Sequence, residues 1–214
     1  ITGIVRSQLG APLFQANIAL LETPLSSISG INGAYSLTGV PTGSYLAEAS
    51  LFGYGNQSVL VDVVASQTTP RDFTLQQSVF ADNAETNLGW SLGVAGDNAN
   101  SGVWVRSDPV GTGGGGVQPE DDHTPAPGVT CFVTANCTPG CGVGDADVDG
   151  GKTTLMSPVF NLSGQTGAKL VYYRWYSNDA GGNPGQDIFQ VDISSNNGTS
   201  WVNLESLIQT RNFW

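Results

Sequence analysis

Hydrophobic and polar residues alternate in short runs through the first third of the chain, and turn residues separate these runs. Residues 16–23 alternate until Pro24 interrupts them, and residues 44–49 follow the turn signal Pro41-Thr42-Gly43. Similar runs lie at residues 1–6, 34–37, 58–64 and 71–75. Alternation is typical of half-buried strands, and no stretch here has helical periodicity. The pattern predicts an antiparallel β-sandwich over residues 1–77.

The pattern changes over residues 78–214, where longer runs contain many aromatic and β-branched residues. These runs lie at residues 169–176, 187–194 and 201–205. Asn196-Asn197-Gly198 separates the last two, and Asn-Gly is a strong hairpin signal. Residues 111–128 form a Gly/Pro/Asp-rich loop of a length that is usually functional or disordered. The predicted fold class is therefore all-β, with two antiparallel β-sandwiches in tandem.

An acidic, glycine-rich loop lies at residues 142–158. Asp145, Asp147 and Asp149 alternate along it and precede Gly150-Gly151. Ca²⁺ takes about six to eight oxygen ligands, and glycine allows the backbone to bend around an ion. The loop begins like a helix-loop-helix calcium loop, but Met156 stands where that motif needs a bidentate Glu. We predict a calcium site of another kind, with a solvated turn as the alternative.

Other acidic residues are candidates for further metal ligands. Asp179 and Asp187 flank a glycine-rich segment and are predicted to complete the first site. Asp121 and Asp122 are candidates for a second cation site, with a solvated charged loop as the alternative.

Three cysteines, Cys131, Cys137 and Cys141, allow at most one internal disulfide. Cys137 could pair with Cys141, or Cys131 could pair with either of them. A Cys₃His zinc site with His123 is another interpretation, although the spacing lacks a C-x₂-C knuckle. A disulfide indicates an oxidising compartment. In a secreted protein, N-x-S/T sequons are candidates for glycosylation; they begin at Asn56, Asn136, Asn161 and Asn197.

Composition narrows the choice of partners. The chain has 214 residues, only 12% of them charged, and a formal net charge of −11. It has no basic patch for nucleic acid and no apolar run long enough for membrane insertion. An acidic, lysine-poor chain is typical of a secreted or cell-surface β-protein that binds divalent cations. Ile1 already begins a strand-like run and the chain ends at Phe213-Trp214, so we expect it to be cut from a longer polypeptide or matured from one.

One catalytic motif is matched literally, since residues 89–93 read G-x-S-x-G around Ser91. A nucleophile elbow needs a following helix and a downstream acid and histidine, but His123 is the only histidine and no helical pattern follows. The chain also lacks H-E-x-x-H. We predict that it is not an enzyme.

The first third resembles the carboxypeptidase regulatory-like domain, a family with a transthyretin-like sandwich. The resemblance is carried by G-x-V, P-L-x-x-A-x-I-x-L, N-G-x-Y-x-L, G-V-P-x-G-x-Y and G-Y, which begin at Gly3, Pro12, Asn32, Gly39 and Gly53. It implies a non-catalytic module that serves as a spacer or stalk in secreted and surface proteins.

Residues 78–214 resemble the calcium-binding jelly-roll modules appended to large secreted bacterial proteins, often peptidases. The matching residues are Asp82 with Glu85 and Trp90, residues 121–124, 147–158 and 173–179, and residues 187–194 with Trp201. Such modules continue with further strands, so the resemblance implies a jelly roll that is incomplete at its C-terminal end.

Three functions are compatible with these patterns. The first is a non-catalytic structural or adhesive segment of a large secreted or cell-surface protein, stabilised by calcium. The second is a subunit of an extracellular fibre or sheath that assembles by strand complementation through an open sheet edge. The third is an accessory module of a secreted protease. Aromatic side chains at residues 172–176 could stack on sugar rings, so a carbohydrate or other cell-surface partner is also a candidate.

Overall fold

Strands form all of the regular secondary structure except for one turn of 3₁₀ helix at Gly113–Gly115. The computed structural model describes residues 1–214 and divides into two units, Ile1–Ala81 and Asp82–Trp214. Almost all strand pairs are antiparallel. The structure confirms the predicted all-β fold class. It contains no helix that is both long enough and apolar enough to cross a membrane.

The first unit is a sandwich of two four-stranded sheets. Its strands are β1 (Thr2–Ser7), β2 (Asn17–Leu20), β3 (Ser26–Ile28), β4 (Ala34–Ser36), β5 (Gly43–Ser50), β6 (Tyr54–Gly55), β7 (Gln57–Val63) and β8 (Phe73–Gln77). One sheet has the order β4-β1-β8-β6 and the other β3-β2-β5-β7. Strands β1 and β8 run parallel, and all other neighbours run antiparallel.

The core of the first unit is apolar because β1, β2, β4, β5, β7 and β8 each bury residues on one face. In β2, Ile18 and Leu20 are buried while their neighbours are partly exposed. Each fully buried side chain of this size contributes roughly 2 kcal/mol. The buried residues are Val5, Leu13, Ala16, Ile18, Leu20, Tyr35, Leu37, Ala47, Ala49, Val61, Phe73 and Leu75.

Tyr35 combines an apolar ring with a satisfied hydroxyl group. The ring lies 6.1 Å from that of Phe73, between centroids, and the hydroxyl donates to the Arg71 carbonyl oxygen at 2.7 Å. Burial, together with the nearby Asp72 carboxylate, raises the pKa of Tyr35 to about 12.

The second unit consists of three two-stranded antiparallel sheets. Its strands are β9 (Ser91–Leu92), β10 (Trp104–Ser107), β11 (Cys131–Thr134), β12 (Leu155–Met156), β13 (Phe189–Ile193) and β14 (Val202–Leu207). Strand β9 pairs with β12, β10 with β11, and β13 with β14. The predicted hairpin turn between β13 and β14 is confirmed, with positive φ angles of 53° at Asn197 and 79° at Gly198.

The predicted strand over residues 169–176 is wrong, because this segment has no neighbouring strand along its length. Only Tyr176 is paired, in an isolated bridge with Arg211. Leu170 and Val171 are 57% and 64% exposed. Side-chain alternation indicates a strand only when a pleated, half-buried surface is available for it. The jelly-roll topology of this unit stays a prediction.

Candidate functional site

The acidic loop is fixed by contacts of its backbone with a preceding segment. The Asn100 amide donates to the Asp149 carbonyl oxygen at 2.7 Å, and the Ser101 hydroxyl donates to that of Asp147 at 3.0 Å. Gly150 has a φ of +75°, and a Cβ there would lie 2.1 Å from Asn100 Nδ2. The positive φ therefore favours glycine at this bend, and a larger residue would also have to displace the Asn100 side chain.

Asp147 is the carboxylate of this loop with a perturbed pKa. Burial raises its pKa, and the nearby Asp187 and Asp149 carboxylates raise it further, against a backbone hydrogen bond from Val148 at 2.9 Å. The structure thus brings Asp147, Asp149 and Asp187 into electrostatic range of one another. A bound cation would relieve this repulsion.

The other two predicted ligands, Asp145 and Asp179, accept hydrogen bonds from residues close to them in sequence. Asp145 accepts from the Gly142 amide at 2.8 Å, and Asp179 from the Ser177 hydroxyl at 3.5 Å. No three Asp, Glu, His or Cys side chains lie close enough together to hold a metal ion. The five aspartates therefore do not form a ready ligand set in this structure, and calcium stays a prediction.

The predicted second cation site contains a ring stack in addition to its carboxylates. His123 stacks on Tyr173 with 3.4 Å between ring centroids and 16° between planes. Burial lowers the pKa of His123, opposed by the charge of Asp122. Asp122 accepts from the Thr124 amide at 3.1 Å, whereas the Asp121 carboxylate makes no hydrogen bond or ion pair. The stack could not be anticipated from spacing alone.

The cysteines form one disulfide, between Cys137 and Cys141. Cys131 is a free, half-buried thiol, and its pKa is raised to about 12 by burial and by nearby carboxylates, Asp122 first among them. The alternative Cys₃His zinc site with His123 is therefore wrong, because disulfide sulfurs are not available as thiolate ligands.

Asn136 differs from the other three sequon asparagines, because its side-chain amide is fully occupied. Its Oδ1 accepts from the Val110 amide and from Gln118 Nε2, both at 2.9 Å. Its Nδ2 donates to Ser107 Oγ at 3.0 Å and to the Asp108 carbonyl oxygen at 2.5 Å. The exposed sequon asparagines are Asn56, Asn161 and Asn197.

Two polar residues, Asn178 and Asp97, hold this unit together in a way that the sequence pattern does not predict, although Asn178 is among the residues that carry the second resemblance. Asn178, 7% exposed, donates to the carbonyl oxygens of Asp187 and Ile208 at 2.8 and 2.9 Å. The Asp97 carboxylate accepts from the Thr154 hydroxyl at 2.7 Å and from its amide at 2.9 Å. For Asn178, the available signal was its position between an aromatic run and a glycine-rich loop.

Two of the carboxylates that support the second resemblance, those of Asp82 and Glu85, accept structural hydrogen bonds within the unit. Asp82 accepts from the Trp90 indole N–H at 2.7 Å. Glu85 accepts from the amides of Val129 and Thr130 at 2.8 and 2.9 Å. The Glu85 hydrogen bonds tie the start of the unit to the residues directly before β11.

Ser91 of the G-x-S-x-G match lies in strand β9, where it pairs with Met156. No helix lies between β9 and the next strand, β10. The strand-turn-helix context of a nucleophile elbow is therefore missing around this serine.

Comparison with known families identifies one match. The carboxypeptidase regulatory-like domain matches residues 1–76. This match confirms the first of the two predicted resemblances. The resemblance of the second unit to calcium-binding jelly-roll modules stays a prediction.

The solved structures that are similar to this chain include two mutants of a type II Cohesin-X-Dockerin complex from Acetivibrio cellulolyticus. The N-terminal interface mutant is 14% identical, with a TM-score of 0.31, over 36% of this chain and 56% of that chain. The C-terminal interface mutant is 16% identical, with a TM-score of 0.27, over 34% and 49%. The matched region thus spans about half of each solved chain, and similarity at this level says nothing further about this chain. No curated protein matches it.

Proposed function

We propose that these residues form a non-catalytic structural and adhesive segment of a large secreted or cell-surface protein, stabilised by calcium. The observation that carries the proposal is the family match of residues 1–76, which coincides with a two-sheet sandwich around an apolar core. Resemblance to this family implies a module that serves as a spacer or stalk. The Cys137–Cys141 disulfide and the net charge of −11 agree with an extracellular location.

Calcium stabilisation is supported by the electrostatics of the acidic loop. Asp147, Asp149 and Asp187 repel one another at a partly buried position. These three residues would supply the first carboxylate ligands, and exposed loop carbonyls could add further oxygens. Asp145 and Asp179 each accept a local hydrogen bond on one carboxylate oxygen. Because no three of these side chains lie close enough together to hold an ion, the aspartates would have to move toward one another. Binding would therefore reorganise the loop.

The substitution Asp149→Ala tests the calcium proposal. Thermal unfolding of the full chain is measured in calcium and in chelator. We expect calcium to raise the Tm of the wild type more than sodium chloride of equal ionic strength does, and to give no such additional rise in Asp149→Ala. The expected affinity is roughly 10⁻⁴–10⁻³ M, as in extracellular modules.

Asp108→Asn is the matched control, since it removes one carboxylate outside the loop that makes no side-chain hydrogen bond. It should keep the calcium response. Identical wild-type melting curves with and without chelator would refute calcium stabilisation. Binding to a glycan array that chelator abolishes would support the adhesive role.

Assembly into a fibre is a second candidate function, favoured by the β13–β14 ribbon. Neither outer edge of this two-stranded sheet is paired. Three of its apolar side chains, Ile193, Val202 and Leu204, are 46%, 64% and 52% exposed. An unpaired apolar edge is a template for an added strand.

Sedimentation velocity tests this second candidate. We expect concentration-dependent oligomers that Leu204→Lys disperses, because an edge lysine opposes strand addition. Val159→Lys is the control, since Val159 is 79% exposed and lies outside any strand. A monomer at all concentrations argues against the fibre.

A further inference from the structure

A small aromatic pocket lies in the second unit beside the 3₁₀ turn. Its volume is about 290 Å³, and its lining residues are Gly115, Pro119, Glu120, Asp121, Trp175 and Trp214. The indole planes of Trp175 and Trp214 meet at 64°, with 5.8 Å between ring centroids. The two rings therefore form adjacent walls of a corner.

Both indole rings are held in place by their N–H groups. Trp175 Nε1 donates to the Val117 carbonyl oxygen at 2.9 Å, and Trp214 Nε1 donates to that of Asp121 at 3.1 Å. His123 also packs against Trp214, with 6.1 Å between ring centroids and 70° between ring planes. With their N–H groups engaged, the two indoles offer a ligand their π-faces and no hydrogen-bond donor.

The polar side chains of the pocket are both carboxylates. Glu120 uses one oxygen to accept from the Gly111 amide at 2.7 Å. Asp121 makes no side-chain hydrogen bond or ion pair. The lining side chains therefore combine negative charge and π-faces with no donor. A sugar could donate hydroxyl hydrogen bonds to the carboxylates but would find no side-chain donor for its own oxygens and no use for the negative charge. An anion would be repelled, and a cation would be attracted by both the charge and the π-faces.

We propose that the pocket formed by Trp175, Trp214, Glu120 and Asp121 binds an organic cation, namely a quaternary ammonium group. Such groups are recognised by aromatic rings set at an angle to one another with negative charge nearby. Pockets for drug-sized ligands measure roughly 300–1,000 Å³, so this pocket suits a small group such as a headgroup or the end of a side chain. The proposal goes beyond the structural role above and does not depend on calcium.

Titration calorimetry of the full chain with choline and tetramethylammonium tests the proposal. The neutral isostere 3,3-dimethyl-1-butanol has the shape of choline without its charge. We expect choline to bind at least about tenfold more tightly than the isostere, which is the scale of one desolvated cation–π contact. Equal binding of the two compounds would overturn the proposal.

Variants separate the contribution of the rings from that of the charge. Trp214→Ala should weaken choline binding about tenfold, and Asp121→Asn should weaken it severalfold. Asp108→Asn makes the same change in net charge outside the pocket and should bind choline like the wild type. Because Trp214→Ala could disturb folding, Asp121→Asn, which keeps the shape of the side chain, gives an independent result. Wild-type affinity in both pocket variants would overturn the proposal.

Two further measurements test whether binding requires a metal ion and whether the ammonium group belongs to a lipid or to a protein. The titration is repeated in chelator, and binding that requires calcium would overturn the proposal. Phosphatidylcholine vesicles and a trimethyl-lysine peptide then distinguish a lipid headgroup from a protein side chain. Binding to either supports the ammonium site.

Discussion

At two glycines of the first unit, the absence of a side chain allows two backbone segments to approach each other closely. A Cβ on Gly3 would lie 1.8 Å from the Arg71 carbonyl oxygen, where β1 approaches the start of β8. Gly33 has a φ of +77°, and a Cβ there would lie 2.4 Å from the Val5 carbonyl oxygen. No larger residue fits at either position without a backbone shift.

We expect Gly33→Ala to cost about 2–5 kcal/mol, from positive φ plus overpacking. Gly10→Ala is the matched control, since Gly10 has a φ of +84° with no atom within 4 Å of the added Cβ. It should cost only about 1–2 kcal/mol. Urea unfolding of both variants measures the difference, and equal losses would mean that the contact with Val5 is relieved at no cost.

At Asn136, the hydrogen bonds of the fold compete with modification. A glycan on Nδ2 would disrupt its donor bonds to Ser107 and Asp108. We therefore expect folded protein secreted from a eukaryotic host to carry no glycan at Asn136. Peptide mass spectrometry checks this, with Asn161 as the positive control because its Nδ2 makes no hydrogen bond. A folded, secreted form that is glycosylated at Asn136 would contradict the expectation.

Individual elements of the second unit depend on side-chain clamps. Asp97 holds the β12 side of the β9–β12 pair through Thr154. Burial acts to raise the pKa of Asp97, but hydrogen bonds from Thr154 and Val94 outweigh it and lower the pKa below 3.8. The ionised Asp97 carboxylate therefore stabilises the folded state at pH values above its ordinary pKa. This contribution is lost as the pH falls through the lower pKa that Asp97 has in the folded protein.

We expect Asp97→Asn to cost about 1–2 kcal/mol at neutral pH, after discounting for solvent. The difference from wild type should shrink below about pH 3.8. Hydrogen exchange at β9 and β12 in the full chain measures it. Thr154→Ser keeps the hydroxyl donor and should preserve the wild-type pH profile, whereas a pH-independent difference for Asp97→Asn would exclude the clamp.

The two units differ in how far sequence pattern predicts their elements. In the first unit, alternation predicts strands correctly because two sheets bury one face of each, as in β2. In the second unit, residues 169–176 alternate as well, yet they have no strand to pair with beyond Tyr176. Whether a neighbour is available depends on tertiary contacts, which periodicity does not encode.

The charge of the whole molecule offers a second route by which calcium could stabilise it. With a net charge of −11, any salt reduces self-repulsion. In the calcium experiment, sodium chloride at equal ionic strength should therefore raise the Tm of wild type and Asp149→Ala equally. Only the wild type should show the additional effect of calcium. An equal calcium response in both proteins would indicate screening alone.

The candidate sites of the molecule also depend on tertiary contacts that the sequence pattern does not encode. Alternate spacing predicts Asp147 and Asp149 as metal ligands, and the structure places both near Asp187. Spacing could not show that Asp145 turns back to the Gly142 amide. It also could not show that Trp175 and Trp214 meet beside Asp121, because these residues are distant in sequence and their arrangement depends on loop conformation.

The parallel pairing of β1 with β8 has a mechanical consequence. These are the first and last strands of the sandwich, so the chain enters at one end of the β1–β8 ladder and leaves at the opposite end. Tension along the polypeptide would pull the two strands lengthwise in opposite directions. Their hydrogen bonds would then be loaded together in shear instead of opening one after another, as suits a tether under load.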